Sequence, residues 1–209
     1  MDRATYCHPN TWRAFEFELG LEYRSIADDQ VLVQAAEKLW HYPRLTGPWP
    51  SREEYGNSVP ITPDMLPRDA TLSLYGLLEL LDGRQAACYA WVVRPPGGSD
   101  SLSLCLPGGM LERLFPVAYN PMSVTRNPWL RDIERLLADI AEWVYGVAPF
   151  ELAVLGECAS AVAVDAADLT REALAPGGFI LPDELWRRLE PTLESRPLSH
   201  GLRHIPLNY

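Results

Sequence analysis

Residues 14–23 read Ala-Phe-Glu-Phe-Glu-Leu-Gly-Leu-Glu-Tyr. Phe15, Phe17, Leu19, Leu21 and Tyr23 alternate with Glu16, Glu18 and Glu22, and this period of two marks a strand with one face in a core. The opposite face is a row of carboxylates with no cation in it. Side chains two residues apart on a strand lie about 7 Å from one another. At an effective dielectric of about 20, each such pair repels by about 2 kcal/mol. After Asp28, an expected N-cap, the period changes to that of a helix over 29–40, with Leu32, Ala35, Ala36 and Leu39 on one face. Residues 41–69 hold Pro43, Pro48, Pro50, Pro60, Pro63 and Pro67 and predict an extended segment wrapped on the surface. One short helix is expected there, where Ser51 and Glu54 match a capping box.

Residues 71–106 predict an antiparallel meander. Leu72, Leu74, Leu78 and Leu80 alternate with smaller or polar neighbours, and Asp82-Gly83 is a hairpin signal. Tyr89, Trp91 and Val93 mark the next strand, and Leu102, Leu104 and Leu106 the third. The clearest helix is expected after Asn127 as N-cap and Pro128 as first residue, ending at Gly146. Leu130, Ile133, Leu137, Ile140, Ala141 and Val144 form one stripe, flanked by Trp129, Leu136 and Trp143. Together they cover about 160° of the helix, a face wide enough to pack across a sheet. Trp91, Trp129 and Trp143 are assigned to the core. Phe150–Leu155 and Ala159–Val164 read as strands, Ala166–Leu174 and Asp183–Leu189 as short helices, and the tail from Glu190 as irregular. The fold expected is a single α+β domain over 1–209: a mostly antiparallel sheet containing 14–23 and 71–106, with the long amphipathic helix packed on one face.

Charge narrows the possible partners. There are 28 carboxylates against 18 cations, a net charge of −10, which argues against nucleic acid and anionic membrane as direct partners. Between Arg135 and Arg171 there is no cation, while Asp139, Glu142, Glu151, Glu157, Asp165 and Asp168 all fall there. The excess is therefore concentrated in two stretches, this one and 16–22. Either the acidic strand is a solvated face or charge-protected edge, or it is a docking surface for a basic protein. No stretch approaches the length of a membrane span, and the first residues lack the basic-then-apolar order of a signal peptide. A cytoplasmic location is expected. The four cysteines, Cys7, Cys88, Cys105 and Cys158, are scattered and read as free thiols.

Four patterns invite chemistry. Gly156-Glu157-Cys158-Ala159-Ser160 faintly resembles a nucleophile elbow, with Cys158 as nucleophile, His200 or His204 as base and Asp165 or Asp168 as orienting acid. The plainer reading is a small core cysteine. His200 and His204 have the i, i+4 spacing of a helical metal pair, and Cys7-His8 could add ligands, but Gly201 weakens the helix this requires. Leu106-Pro107-Gly108-Gly109-Met110 could present backbone N–H groups to an anion, yet it has neither the Lys-Ser/Thr of a P-loop nor a third glycine. No cofactor and no metal is expected. Trp49, Tyr55 and Tyr42 lie in the proline-rich segment, as interface anchors or as pins that hold the segment to its own core.

The order of parts, a strand at Phe15–Tyr23, a helix at Asp29–Trp40, the Gly47-Pro48-Trp49-Pro50 segment and then a mixed α+β body, resembles the cytosolic immunity proteins that bacteria pair with polymorphic or type VI secreted toxins. Within that class it is most similar to the group paired with restriction-endonuclease-like toxins. The resemblance implies a stoichiometric inhibitor, not an enzyme, that binds one toxin. A nuclease toxin is basic where it grips phosphates, and an acidic inhibitor would be steered to it. The residues expected at the interface are Glu16, Glu18, Glu22, Trp49, Tyr55, Asp165 and Asp168. The alternative is a small cysteine-dependent hydrolase built on Cys158.

Overall fold

The alternating segment forms the central strand of a sheet. The structure is a computed structural model that describes residues 1–23, 29–66, 71–96, 98–119, 123–157, 159, 166–190 and 192–208. The elements in chain order are α1 (Arg3–Cys7), β1 (Glu16–Tyr23), α2 (Asp29–Trp40), β2 (Leu45–Trp49), β3 (Thr71–Glu79), β4 (Gln85–Val93) and β5 (Asp100–Pro107). They are followed by α3 (Gly108–Leu114), α4 (Leu130–Tyr145), β6 (Leu152–Glu157), β7 (Phe179–Pro182), α5 (Asp183–Leu189), β8 (Arg196–Pro197) and β9 (Leu202–Ile205). Among the described residues, nine strands make one sheet in the order β2-β3-β4-β5-β1-β6-β7-β9-β8. Every described pairing is antiparallel. The class is α+β, as its pattern predicts.

β1 pairs with β5 on one side and β6 on the other, Leu19 standing opposite both Leu104 and Leu155. Its odd residues Phe17, Leu19, Leu21 and Tyr23 are buried on the face that α4 and α2 cover. The stripe read from the sequence is the buried face of α4: Leu130, Ile133, Leu137, Ile140, Ala141 and Val144 are all within 2% of full burial. Gly76 on β3 lets α2 come close, since a Cβ there would overlap the Trp40 ring and the Thr46 carbonyl. The Asp82-Gly83 hairpin joins β3 to β4, with Gly83 at φ +83° where a side chain would be strained.

Several expectations are corrected. Asn127 does not cap α4 with its side chain. It is fully buried, and its amide exchanges two hydrogen bonds with the backbone of Ala118 at 2.7 and 2.8 Å, so the helix begins at Leu130. Ser51 does reach Glu54 at 3.4 Å, but residues 53–56 form a turn, not a helix. Residues 45–49 of the proline-rich segment are an edge strand, and the C-terminal tail adds β8 and β9. Pro48 and Pro197, which cannot donate to a ladder, sit in the two edge strands. Residues 166–174 hold a turn and one 3-10 turn at Glu172–Leu174 where a helix was expected. Trp91, Trp129 and Trp143 are half-buried, not core. The expected N-cap Asp28 lies outside the described residues, as does all but Ala159 of the expected strand Ala159–Val164.

Candidate functional site

The carboxylates of β1 point away from α4, but they do not form an open face. Glu18 is fully buried, and Glu16 and Glu22 are half-buried. Being central, β1 is also not an edge that charge would protect. The row is covered from two sides. Near Glu16, the N-terminal segment lays Trp12 against Tyr75 of β3 and Tyr89 of β4, at 5.4 and 6.3 Å between ring centroids. Toward Glu22, Ala166, Leu169 and Leu185 close a second, smaller apolar cluster over Leu152 of β6 and Phe179 and Leu181 of β7.

Each carboxylate accepts a different donor. Tyr89 donates its phenol to Glu16 Oε1. Cys105 Sγ donates to Glu18 Oε2 at 3.3 Å. The Ala166 backbone N–H donates to Glu22 Oε1 at 3.0 Å. Burial, reinforced by the Glu18 and Glu16 charges, pushes the Cys105 thiol far above its ordinary value. Burial likewise raises the Tyr89 phenol. Glu16, Glu18 and Cys105 offer one ligand atom each within 4.8 Å of one another. A divalent cation could bridge such a set, although two of its oxygens already accept from Tyr89 and Cys105.

Trp49 and Tyr55 prove to be pins. Trp49 is 2% exposed and its ring lies 4.6 Å from that of Tyr55. The Tyr55 phenol donates to the Met1 carbonyl at 2.6 Å. Tyr6, fully buried, touches Trp49, Tyr55 and Trp12 at 5.2, 4.9 and 5.1 Å. Trp49, Tyr55 and Glu16 are thus brought into one aromatic layer that ends at the Tyr89–Glu16 bond, but this layer faces inward. As direct contacts for a partner, Glu18 and Trp49 are corrected: neither offers surface.

The remaining acidic candidates lead to a cleft. Glu151 immediately precedes β6, and its N–H donates to the Glu22 carbonyl at 2.8 Å. Glu22, Glu151 and Glu184 line a cleft of about 750 Å³ with Tyr145, Phe150, Leu185 and Arg188. Arg188 donates from Nη2 to the Ala166 carbonyl. Asp168 is exposed one residue beyond the lining Ala167, and Asp165 lies outside the described residues. The two acidic stretches therefore meet. The sequence did not single out Glu184, and it offered Glu151 only as one acid of the cation-free stretch, without a place in the fold. Tyr145 and Phe150 gave no signal beyond their hydrophobicity.

The other chemical candidates come apart. His204 lies in strand β9, 4% exposed, with Nε2 3.1 Å from Glu134 Oε1. His200 is exposed in a turn at φ +58°, so the pair lacks the helical geometry for a shared metal. His8 accepts from the Asn10 N–H, and Cys7 donates to the Arg52 carbonyl. The Gly108 and Gly109 N–H groups donate to the carbonyls of Phe15 and Arg13 and offer nothing to an anion. Cys158, the nucleophile of the hydrolase reading, lies outside the described residues. No known protein family, curated protein or solved structure matches this chain. Among the described residues, no helix is long and apolar enough to cross a membrane.

Proposed function

We propose that this chain is a non-enzymatic immunity protein that acts in the bacterial cytoplasm, where it binds and neutralises a cognate secreted toxin with a basic, nuclease-like surface. The observation that carries this reading is the junction of the two acidic stretches. Glu22 from 16–22 and Glu151 from the cation-free 136–170 line one cleft, joined by the Glu151–Glu22 backbone hydrogen bond. The chain's net charge of −10 suits a partner rich in Arg and Lys and speeds its approach, and the recess adds the aromatic surface of Tyr145 and Phe150. The sequence resemblance to immunity proteins of type VI secreted toxins points the same way.

The test is co-expression with the product of the adjoining gene. The expected result is that this product alone stops growth, that this chain restores it, and that the isolated complex weakens as salt is raised. A harmless neighbour, or a toxic one that this chain neither binds nor neutralises, overturns the reading. Binding that is indifferent to salt overturns its electrostatic part.

A further inference from the structure

We propose that the pocket between the C-terminal ends of α2 and α4 binds a trimethylammonium group, which displaces the ammonium of Lys38 from the Trp143 ring. The pocket measures about 410 Å³, and Lys38, Tyr42, Asp139, Glu142, Trp143 and Val147 are among its walls. It shares no lining residue with the cleft at Glu22 and Glu151, and it does not depend on the proposed function.

Two rings form the box. Tyr42 and Trp143 stand at 75° to one another with 6.1 Å between centroids. The indole is fixed in place, because Trp143 Nε1 donates to the Lys38 carbonyl at 2.8 Å. That carbonyl is one of those the end of α2 leaves without a helical partner. The ring face already carries a cation, since Lys38 Nζ lies 3.3 Å from its centroid. Among the described residues, Lys38 Nζ donates no hydrogen bond and forms no ion pair. A primary ammonium held in this way gives up contacts with water and gains no acceptor in return. A trimethylammonium group has no N–H to satisfy, so an aromatic box suits it better than the ammonium now there.

The surrounding charge favours a cation of either kind. Gly146, the C-cap of α4, lines the pocket, and the last turn of that helix carries no basic residue. The partly negative end of α4 therefore faces the site. Asp139 lies 3.9 Å from Arg196, and Glu142 accepts the Ser199 N–H. A trimethylammonium group needs only the field of these carboxylates and no hydrogen bond from them. Burial, then the charge of Asp139, raise the Tyr42 phenol above its ordinary value, so that field is felt at the box. The exchange of one cation for another leaves the net charge of the pocket unchanged. Its volume is within the range of small-molecule sites.

The test is a titration of choline chloride into the isotope-labelled full chain, against sodium chloride at matched ionic strength. Lys38 is the chain's only lysine and gives a single ε-methylene signal, shifted by the Trp143 ring. Choline should move this signal saturably toward that of a free lysine side chain and shift the Val147 amide with the same midpoint. Its neutral isostere, with carbon in place of the charged nitrogen, should bind about tenfold more weakly. In Lys38→Gln, which removes the competing ammonium, choline should bind about fivefold more tightly, read at Val147. Arg131→Gln removes an equal charge from the exposed start of α4 and should leave binding unchanged. In Trp143→Leu the saturation should vanish; if that variant does not fold, the neutral isostere and Lys38→Gln decide. A capped trimethyllysine separates two sources of the group. Binding tighter than that of choline assigns the site to a modified protein side chain, and equal or weaker binding to a free small molecule. Shifts that sodium chloride reproduces, equal binding of the neutral isostere, or equal behaviour of Lys38→Gln and Arg131→Gln overturn the proposal.

Discussion

Glu18 and Cys105 face one another across β1 and β5, the thiol donating to the carboxylate at 3.3 Å in a fully buried setting. The middle carboxylate of the acidic row is therefore part of the interior. Glu18→Ala leaves the thiol without its acceptor and opens space at the centre of the sheet. A loss of about 1–3 kcal/mol is expected from urea denaturation. Glu18→Gln keeps an acceptor and nearly the same volume, and should retain most of the stability. Equal midpoints for Glu18→Ala and the unaltered chain would show that the contact contributes nothing.

Thiol chemistry should separate the cysteines by burial. Cys7 is exposed, while Cys88 and Cys105 are buried, and burial pushes both interior thiols far above their ordinary value. With iodoacetamide, Cys7 should label in the native state, whereas Cys88 and Cys105 should label only after denaturation. Mass spectrometry of the digested protein reads this directly. Native labelling of Cys105 at the rate of Cys7 would contradict the burial described.

Tyr119 provides a pH test. Burial, then its hydrogen bond to Glu112 and the charge of that carboxylate, raise its phenol from 10.0 to about 12. The folded state thus holds this proton more tightly than the unfolded state. The stabilisation is fully present below pH 10.0 and is lost as pH rises through about 12. In an ultraviolet difference titration, Tyr119→Phe should remove one phenol that ionises near the upper end of that range. Loss of a phenol with an ordinary midpoint would refute the assignment.

Beyond its pairing with β7, the end of the C-terminal tail is tied to α4 by one carboxylate. Glu134 of α4 accepts from the Leu207 N–H at 2.7 Å and lies 3.1 Å from His204 Nε2, all three residues being buried. Glu134→Ala leaves both partners without an acceptor and should cost about 2–4 kcal/mol. Hydrogen exchange at the Leu207 amide should accelerate more than at α4 amides. Unchanged protection at Leu207 would mean that the tail is held by other contacts.

Periodicity made much of this architecture legible. β1, β3, β4, β5 and the stripe of α4 declare themselves because one face of each meets the main core, and a regular period of two or 3.6 is what a one-sided core imposes. The less regular parts escaped. β2 is interrupted by Gly47-Pro48, β7 is four residues long, and β8 and β9 lie in a proline-containing tail. Asn127 had the right residue type for a cap, yet the Ala118 backbone took its side chain.

By itself the sequence determined which way the side chains of β1 point, because alternation is a local property of extended backbone. It also determined that the acidic excess lies in two stretches. Only the tertiary structure decided what those carboxylates face. Whether a polar face meets water depends on what distant segments lay over it, here Trp12 at one end and Ala166 to Leu185 at the other. The same long-range packing brings Glu22, Glu151 and Glu184 to one cleft from far apart in the chain. The antiparallel pairing of β1 with β6 and the placement of α5 set that meeting, and no local period records it.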